Sequence, residues 1–221
     1  MASLTLPELL HFLQYDPSTY RTPVIFGEAN SKIIETITSV LSAYQGKIFC
    51  VNPYLEVPSS PKSITLQKSQ EARFSFPALS VGIIGMTGLD FNHHSSDTEG
   101  WPGNSTAQVV KNFAGKLHLL AELHGTKEVY YYSNFAIRWG RESYQVIYIE
   151  CVTKGTLVAA SKDYELSKDT DELIALQFVP EGQDKTLGQM TAEKYLYDPR
   201  MKALAEVLRE LEKNGLVRDE E

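Results

Sequence analysis

Cysteine is scarce in this sequence: Cys50 and Cys151 are the only two among 221 residues. Both lie in apolar, β-like stretches, KIFCVNP and YIECVTK, where a thiol packs as a small hydrophobe. The expectation is two reduced core thiols, with neither a disulfide nor a catalytic nucleophile. Basic clusters are missing as well. Lys and Arg total 21 against 28 Asp and Glu, a net charge of −7, and no block of five Lys or Arg occurs. Neutralising a nucleic-acid backbone needs a local positive field, so no nucleic-acid partner is expected; the nearest candidate, Arg138 with Arg141, is a poor footprint. No apolar run approaches the roughly 20 residues of a membrane-spanning helix, so no membrane is expected. The opening MASLTLPELLHFLQY carries Pro7 and Glu8 and lacks the basic region, unbroken apolar core and cleavage site of an export signal. Together these point to a reducing, cytoplasmic setting. Phosphate-loop, G-x-G-x-x-G, G-x-S-x-G and C-x-x-C motifs are absent too, so no motif names a cofactor.

What is present is the balance of an ordinary globular domain, 43% hydrophobic and 22% charged. A chain of this length buries roughly 70% of its unfolded surface and needs no metal for stability. Residues 1–221 read as a single domain. A Pro- and Ser-rich loop at 53–63 could set off a small helix-strand unit at 1–52, but so short a piece is marginal as an independent core.

Apolar residues at helical spacing predict helices at Ile33 to Tyr44, Val109 to Ala121 and Pro199 to Leu211, with a short one at Leu4 to Gln14. The last is bounded by Asp198-Pro199 and Asn214-Gly215, a start and a stop. Lys47 to Val51 reads as a strand. Alternation along Val129 to Trp139 and again along Tyr144 to Val152, across Gly140-Arg141-Glu142, predicts a β-hairpin. With Thr153-Lys154-Gly155 taken as a turn, Thr156 to Ser161 completes a meander spanning about 127–161. Ser63 to Lys68 with Ala72 to Phe76 reads as another hairpin, and Asp171 to Val179 suits strand and helix equally. The elements do not alternate as βαβ, which favours an α+β fold, a mainly antiparallel sheet packed with three to four helices.

Two function classes compete. The leading one is a soluble binding or protein-interaction domain that presents Arg138, Trp139, Arg141, Tyr130 and Tyr132 on an aromatic hairpin, since Tyr, Trp and Arg anchor interfaces. Strand propensity alone also accounts for most of the tyrosines. The alternative is a hydrolase or lyase, with or without a metal, built on the polar loop at 90–104. There His93, His94, Asp97 and Glu99 supply imidazole and carboxylate for proton transfer or ligation. Adjacent histidines diverge on an extended chain, and a wet loop explains the same residues without function. His118 and Glu122, four apart on a helix, are either an ion pair or two metal ligands. Glu150 and Lys154 lack the spacing of nuclease Glu/Lys pairs. The sequence leaves open whether the chain is an enzyme and whether its partner is a protein or a small molecule.

Overall fold

The computed structural model describes residues 24–27, 60–75, 81–98, 100–103, 105–139, 145–160 and 170–214. The predicted helices at 4–14 and 33–44, the strand at 47–51 with Cys50, Glu99 and the hairpin tip with Arg141 lie outside the described residues. In chain order the elements are β1 (Val24–Gly27), α1 (Pro61–Ser75), β2 (Val81–Phe91), β3 (Pro102–Gly103), α2 (Thr106–Asn112), α3 (Leu117–Leu123), β4 (Val129–Trp139), β5 (Gln145–Leu157), α4 (Thr170–Ala175), β6 (Phe178–Pro180) and α5 (Pro199–Lys213). A 3₁₀ turn, Ala192–Leu196, precedes α5.

The strands form one sheet in the order β1-β2-β4-β5-β6, with β3 paired to the end of β2. Only β1 with β2 is parallel; the other pairs are antiparallel. The fold is therefore α+β with a mainly antiparallel sheet, as the order of elements implied. Side chains alternate across a strand, so the register sorts them into two faces. Asp90, Gly88 and Met86 of β2 lie beside Tyr130, Tyr132 and Asn134 of β4 and Lys154, Val152 and Glu150 of β5. This is the face that α1 covers, through Thr65 at Asn134 and Ser69 at Arg138. On the opposite face Leu89, Val129 and Tyr131 join Val110, Leu117, Leu120, Ile174, Phe178 and Leu187 in the main apolar core. Burying side chains of this size contributes roughly 1.5–3 kcal/mol each. Among the described residues no helix is long and apolar enough to cross a membrane.

Four local expectations change. Residues 61–75 form a helix, not a hairpin. Pro61 suits the first helical position, and the Ser63 amide donates to Ser60 Oγ at 3.3 Å, a capping bond. The buried side of this helix is partly polar, Ile64 with Thr65 and Ser69, which hid its periodicity. The single helix expected over 109–121 is two, because Gly115 takes a φ of 74° and breaks it. The second piece starts against Gln177, whose Oε1 accepts from the Leu117 amide at 3.1 Å.

Strand β5 runs straight through Thr153-Lys154-Gly155 instead of turning there. Gly155 is required by close approach: a Cβ there would collide with the Val179 carbonyl and the Phe178 ring of β6. The third antiparallel strand is thus β6, and the ambiguous 171–179 stretch is helix α4 followed by that strand. Helix α5 starts and stops where its caps predicted. Asp198 Oδ1 accepts from the Arg200 amide at 3.0 Å, and Val207 is buried.

Candidate active site

The loop after β2 is pinned at both ends. Asn92 turns the chain with a φ of 69°, a conformation Asn tolerates, and its amide donates to the Glu128 carbonyl at 3.1 Å. The loop then closes on its own strand: the Phe91 amide donates to the Trp101 carbonyl at 2.7 Å, and Asp90 and Leu89 pair with Pro102 and Gly103. Trp101 packs edge-on against Phe91 and stacks on His124 at 3.8 Å. Its middle is tied to α1, where the Lys62 amide donates to the Ser96 carbonyl at 3.2 Å and Lys62 Nζ pairs with Asp97 at 3.0 Å.

This closure folds His94 back over the face of the sheet that α1 covers. His94 Nδ1 lies 2.6 Å from Asp90 Oδ2, and Nε2 lies 3.3 Å from Glu150 Oε1. The Asp90 side chain is fully buried and that of His94 is 6% exposed, whereas Glu150 keeps 19% exposure, so the cluster opens on the Glu150 side. The imidazole rests on the buried Tyr132 ring at 4.5 Å. Tyr148 donates its hydroxyl hydrogen to Glu150 Oε1 at 2.8 Å. Lys62 Nζ stands 5.8 Å from the centre of the Tyr148 ring.

Burial opposes charge on His94, yet the carboxylates on its two sides push its pKa up to about 9. Burial likewise raises the Asp90 carboxyl, against the pull of His94. Burial and the neighbouring Glu150 raise the Tyr148 phenol, which stays a donor. Two carboxylates share one imidazole, leaving an excess of acceptors. The start of α1 adds no open anion site, since its Lys62, Ser63 and Ile64 amides already donate to Ser96, Ser60 Oγ and Ser60.

A second charged cluster occupies the opposite face. Arg200 grips Asp198 with Nε at 3.0 Å and Nη2 at 2.6 Å, and its Nη1 reaches Asp171 at 3.2 Å. Lys194 Nζ stands 4.0 Å from Asp198, and Thr87 donates to Asp171 at 3.0 Å. Burial opposes ionisation of Asp198, but Arg200 and Lys194 hold its carboxyl below the usual range.

Of the residues singled out from sequence as catalytic or metal-ligating, only His94 enters the first cluster directly. His93 and Asp97 are exposed, Asp97 pairing with Lys62. His118 and Glu122 lie on α3, over the other face, half-buried and exposed respectively. Among the described residues no three His, Cys, Asp or Glu side chains converge as a metal cage. On the hairpin, Tyr132 is buried beneath His94, and Arg138 Nε donates to Ser69 of α1 at 3.3 Å. Strand alternation sends both to the side of the sheet that α1 covers. Tyr130 and Trp139 are half-buried, Tyr130 donating to Glu128 at 3.3 Å. Asp90, Glu150, Tyr148 and Lys62 were missed as site residues. The hairpin register could have placed Tyr148 and Glu150 on one face; nothing local could have brought them to His94.

No protein-family model matches the sequence, and no curated protein matches it. Solved structures do resemble the fold. A nucleoside-triphosphatase, dITP/XTP pyrophosphatase, from Mycobacterium abscessus superimposes with a TM-score of 0.53 at 20% identity, covering 86% of this chain and 97% of its own. The Ham1 protein of Staphylococcus aureus gives 0.60 at 14% identity, covering 87% and 99%. A HAM1 protein from Coxiella burnetii gives 0.60 at 14%, covering 86% and 99%. These neighbours overturn the emphasis on a protein-interaction and ligand-binding domain, since the likeness, which includes a nucleoside-triphosphatase, is to Ham1-type proteins over nearly their full length. What this chain shares with them is the Ham1-type α+β fold.

Proposed function

We propose that this protein is a hydrolase that cleaves nucleoside triphosphates to the monophosphate and pyrophosphate, using the site built on Asp90, His94 and Glu150. The observation that carries the reading is a buried imidazole held between two carboxylates on a fold whose solved neighbours include a dITP/XTP pyrophosphatase matched over 97% of its length. Fold alone does not set activity, so the argument rests on what the site can do. Asp90 fixes the orientation of His94 through Nδ1, leaving Nε2 and Glu150 Oε1 as the working edge. Tyr148 orients Glu150, and Lys62 brings positive charge to the same rim. Such a preorganised edge can align water and the phosphate chain, which is most of what phosphoryl transfer asks of a protein. The partner is then a small molecule.

The test is incubation of the purified protein with dITP, XTP, ATP and GTP in the presence of Mg²⁺, with phosphate and pyrophosphate measured separately. Pyrophosphate and monophosphate should appear in equal amounts. Glu150→Gln and His94→Gln should lower kcat by roughly 100-fold or more while the protein stays folded. Absence of turnover, together with absence of thermal stabilisation by every nucleotide, would overturn the reading.

A further inference from the structure

We infer that Lys62 takes the outer phosphates of the substrate at this site, and that Asp97 is an internal carboxylate standing where a phosphate oxygen will bind. The inference rests on the hydrolase reading for its functional meaning, but the anion contact it describes is measurable without turnover.

Lys62 occupies an unfavourable place for a lysine. It lies in the first turn of α1, where the helix dipole opposes a cation, and that turn holds no acidic residue to offset it. A local rule broken at the rim of a site is where function is expected. The compensating charge comes from a position 35 residues away: Asp97 Oδ1 accepts from Lys62 Nζ at 3.0 Å. The side chain of Asp97 is 71% exposed and that of Lys62 39%, so the pair is wet and holds its partners by a factor of about five at most. A phosphate, with more charge than a carboxylate and more acceptor oxygens, displaces such a partner readily.

The loop does not depend on this pair. Its backbone is tied to α1 by the Lys62 amide, which donates to the Ser96 carbonyl at 3.2 Å, and His94 anchors it to Asp90 at 2.6 Å. The Asp97 amide also donates to Ser95 Oγ at 3.3 Å. The carboxylate is therefore free to leave the ammonium while the chain around it keeps its path.

The direction from the cluster fits as well. Lys62 Nζ stands 5.8 Å from the centre of the Tyr148 ring, and the hydroxyl of that ring donates to Glu150 Oε1 at 2.8 Å. One ring thus separates the ammonium from the edge of the cluster that reaches solvent. Asp90 and Glu150 share His94 as their counter-charge, which leaves Lys62 to meet an anion at this rim. A triphosphate with its α-phosphate at His94 and Glu150 would run its β- and γ-phosphates past Tyr148 toward that ammonium. Lysine suits this task as a point charge that follows the phosphate on a flexible stem.

Inorganic tripolyphosphate is the probe, titrated by calorimetry into the full chain at low salt. Asp97→Asn should tighten its binding about 2- to 5-fold, the strength of the exposed pair that is removed. Lys62→Gln should weaken binding about 10-fold or more, as loss of a hydrogen bond to a charged group does, and Lys62→Arg should retain most of it. Combined with Lys62→Gln, Asp97→Asn should have no further effect, whereas a general change in surface charge would still tighten binding. In turnover, Lys62→Gln should raise the KM for nucleotide, with kcat falling far less than in Glu150→Gln. Parent protein that binds no tripolyphosphate overturns the inference. So does equal affinity in the parent and in folded Lys62→Gln, or a tightening by Asp97→Asn that persists without Lys62. Tripolyphosphate held through Lys62 by a protein that turns over no nucleotide keeps the anion contact and removes the hydrolase reading. Turnover with a KM indifferent to Lys62 does the reverse.

Discussion

The two charged clusters sit on opposite faces of the same three strands, and they are built to opposite rules. Behind β2 and β4, Asp171 and Asp198 meet Arg200 and Lys194, two carboxylates against two cations, with a bidentate grip at its centre. Under α1, Asp90 and Glu150 meet His94 alone. The balanced network directs its charges at one another and ties α4, α5 and β2 together, which is structural work. The unbalanced one sets a single imidazole between a buried carboxylate and one that reaches solvent. Perturbed, incompletely paired groups at an opening are where function concentrates.

The largest break in this comparison should come from the balanced side. Arg200→Met strands Asp198 and Asp171 in the core, and the lost stability should be about 3–5 kcal/mol in urea unfolding, the cost of removing one partner of a buried pair. A loss under about 1 kcal/mol would mean that the network is solvated and the contrast with the His94 cluster is false.

Next is the pH response of the protein. Because the folded pKa of His94 is raised from 6.5 to about 9, its contribution is fully present below about pH 6.5 and is lost as pH rises through about 9. On the order of 3 kcal/mol is at stake. Chemical denaturation at pH 6 and pH 9.5 should show this fall in the parent and not in His94→Gln.

A smaller effect is expected where α1 meets the sheet. Thr65 Oγ1 lies 2.8 Å from the Pro61 carbonyl and 2.6 Å from Asn134 Oδ1, so Thr65→Val leaves a buried amide short of a partner at a cost of about 1–3 kcal/mol. The readout is the urea midpoint. Smallest of all is His93→Ala. Its side chain points to solvent beside the buried His94, and stability should move by less than about 0.5 kcal/mol. Equal sensitivity at 93 and 94 would show that the loop is not pinned as described.

The 90–104 loop was legible as unusual in composition, and His94 was among its candidates, but the reason for its importance was not. Asp90 reads as the end of an apolar strand and Glu150 as one polar position in an alternating one. Their meeting depends on the loop folding back through Asn92 and on the in-register pairing of β2, β4 and β5. Asp198 was legible as a helix cap, which it is, while its grip on Arg200 was not.

Local rules determined what local energies control: the α5 boundaries from Asp198-Pro199 and Asn214, the β4–β5 pair from alternation, the α+β class from element order, and the absence of a membrane-spanning helix among the described residues. Tertiary structure alone decided which face each strand residue takes to which neighbour. It buried Tyr132 and tied Arg138 to Ser69 on the side that α1 covers, and it drew Asp90, His94 and Glu150 from a strand, a loop and a second strand into one cluster. The physical reason is range. Caps and periodicity act within a few residues, whereas the ion pair between positions 94 and 150 exists only after loop closure and sheet pairing have been completed.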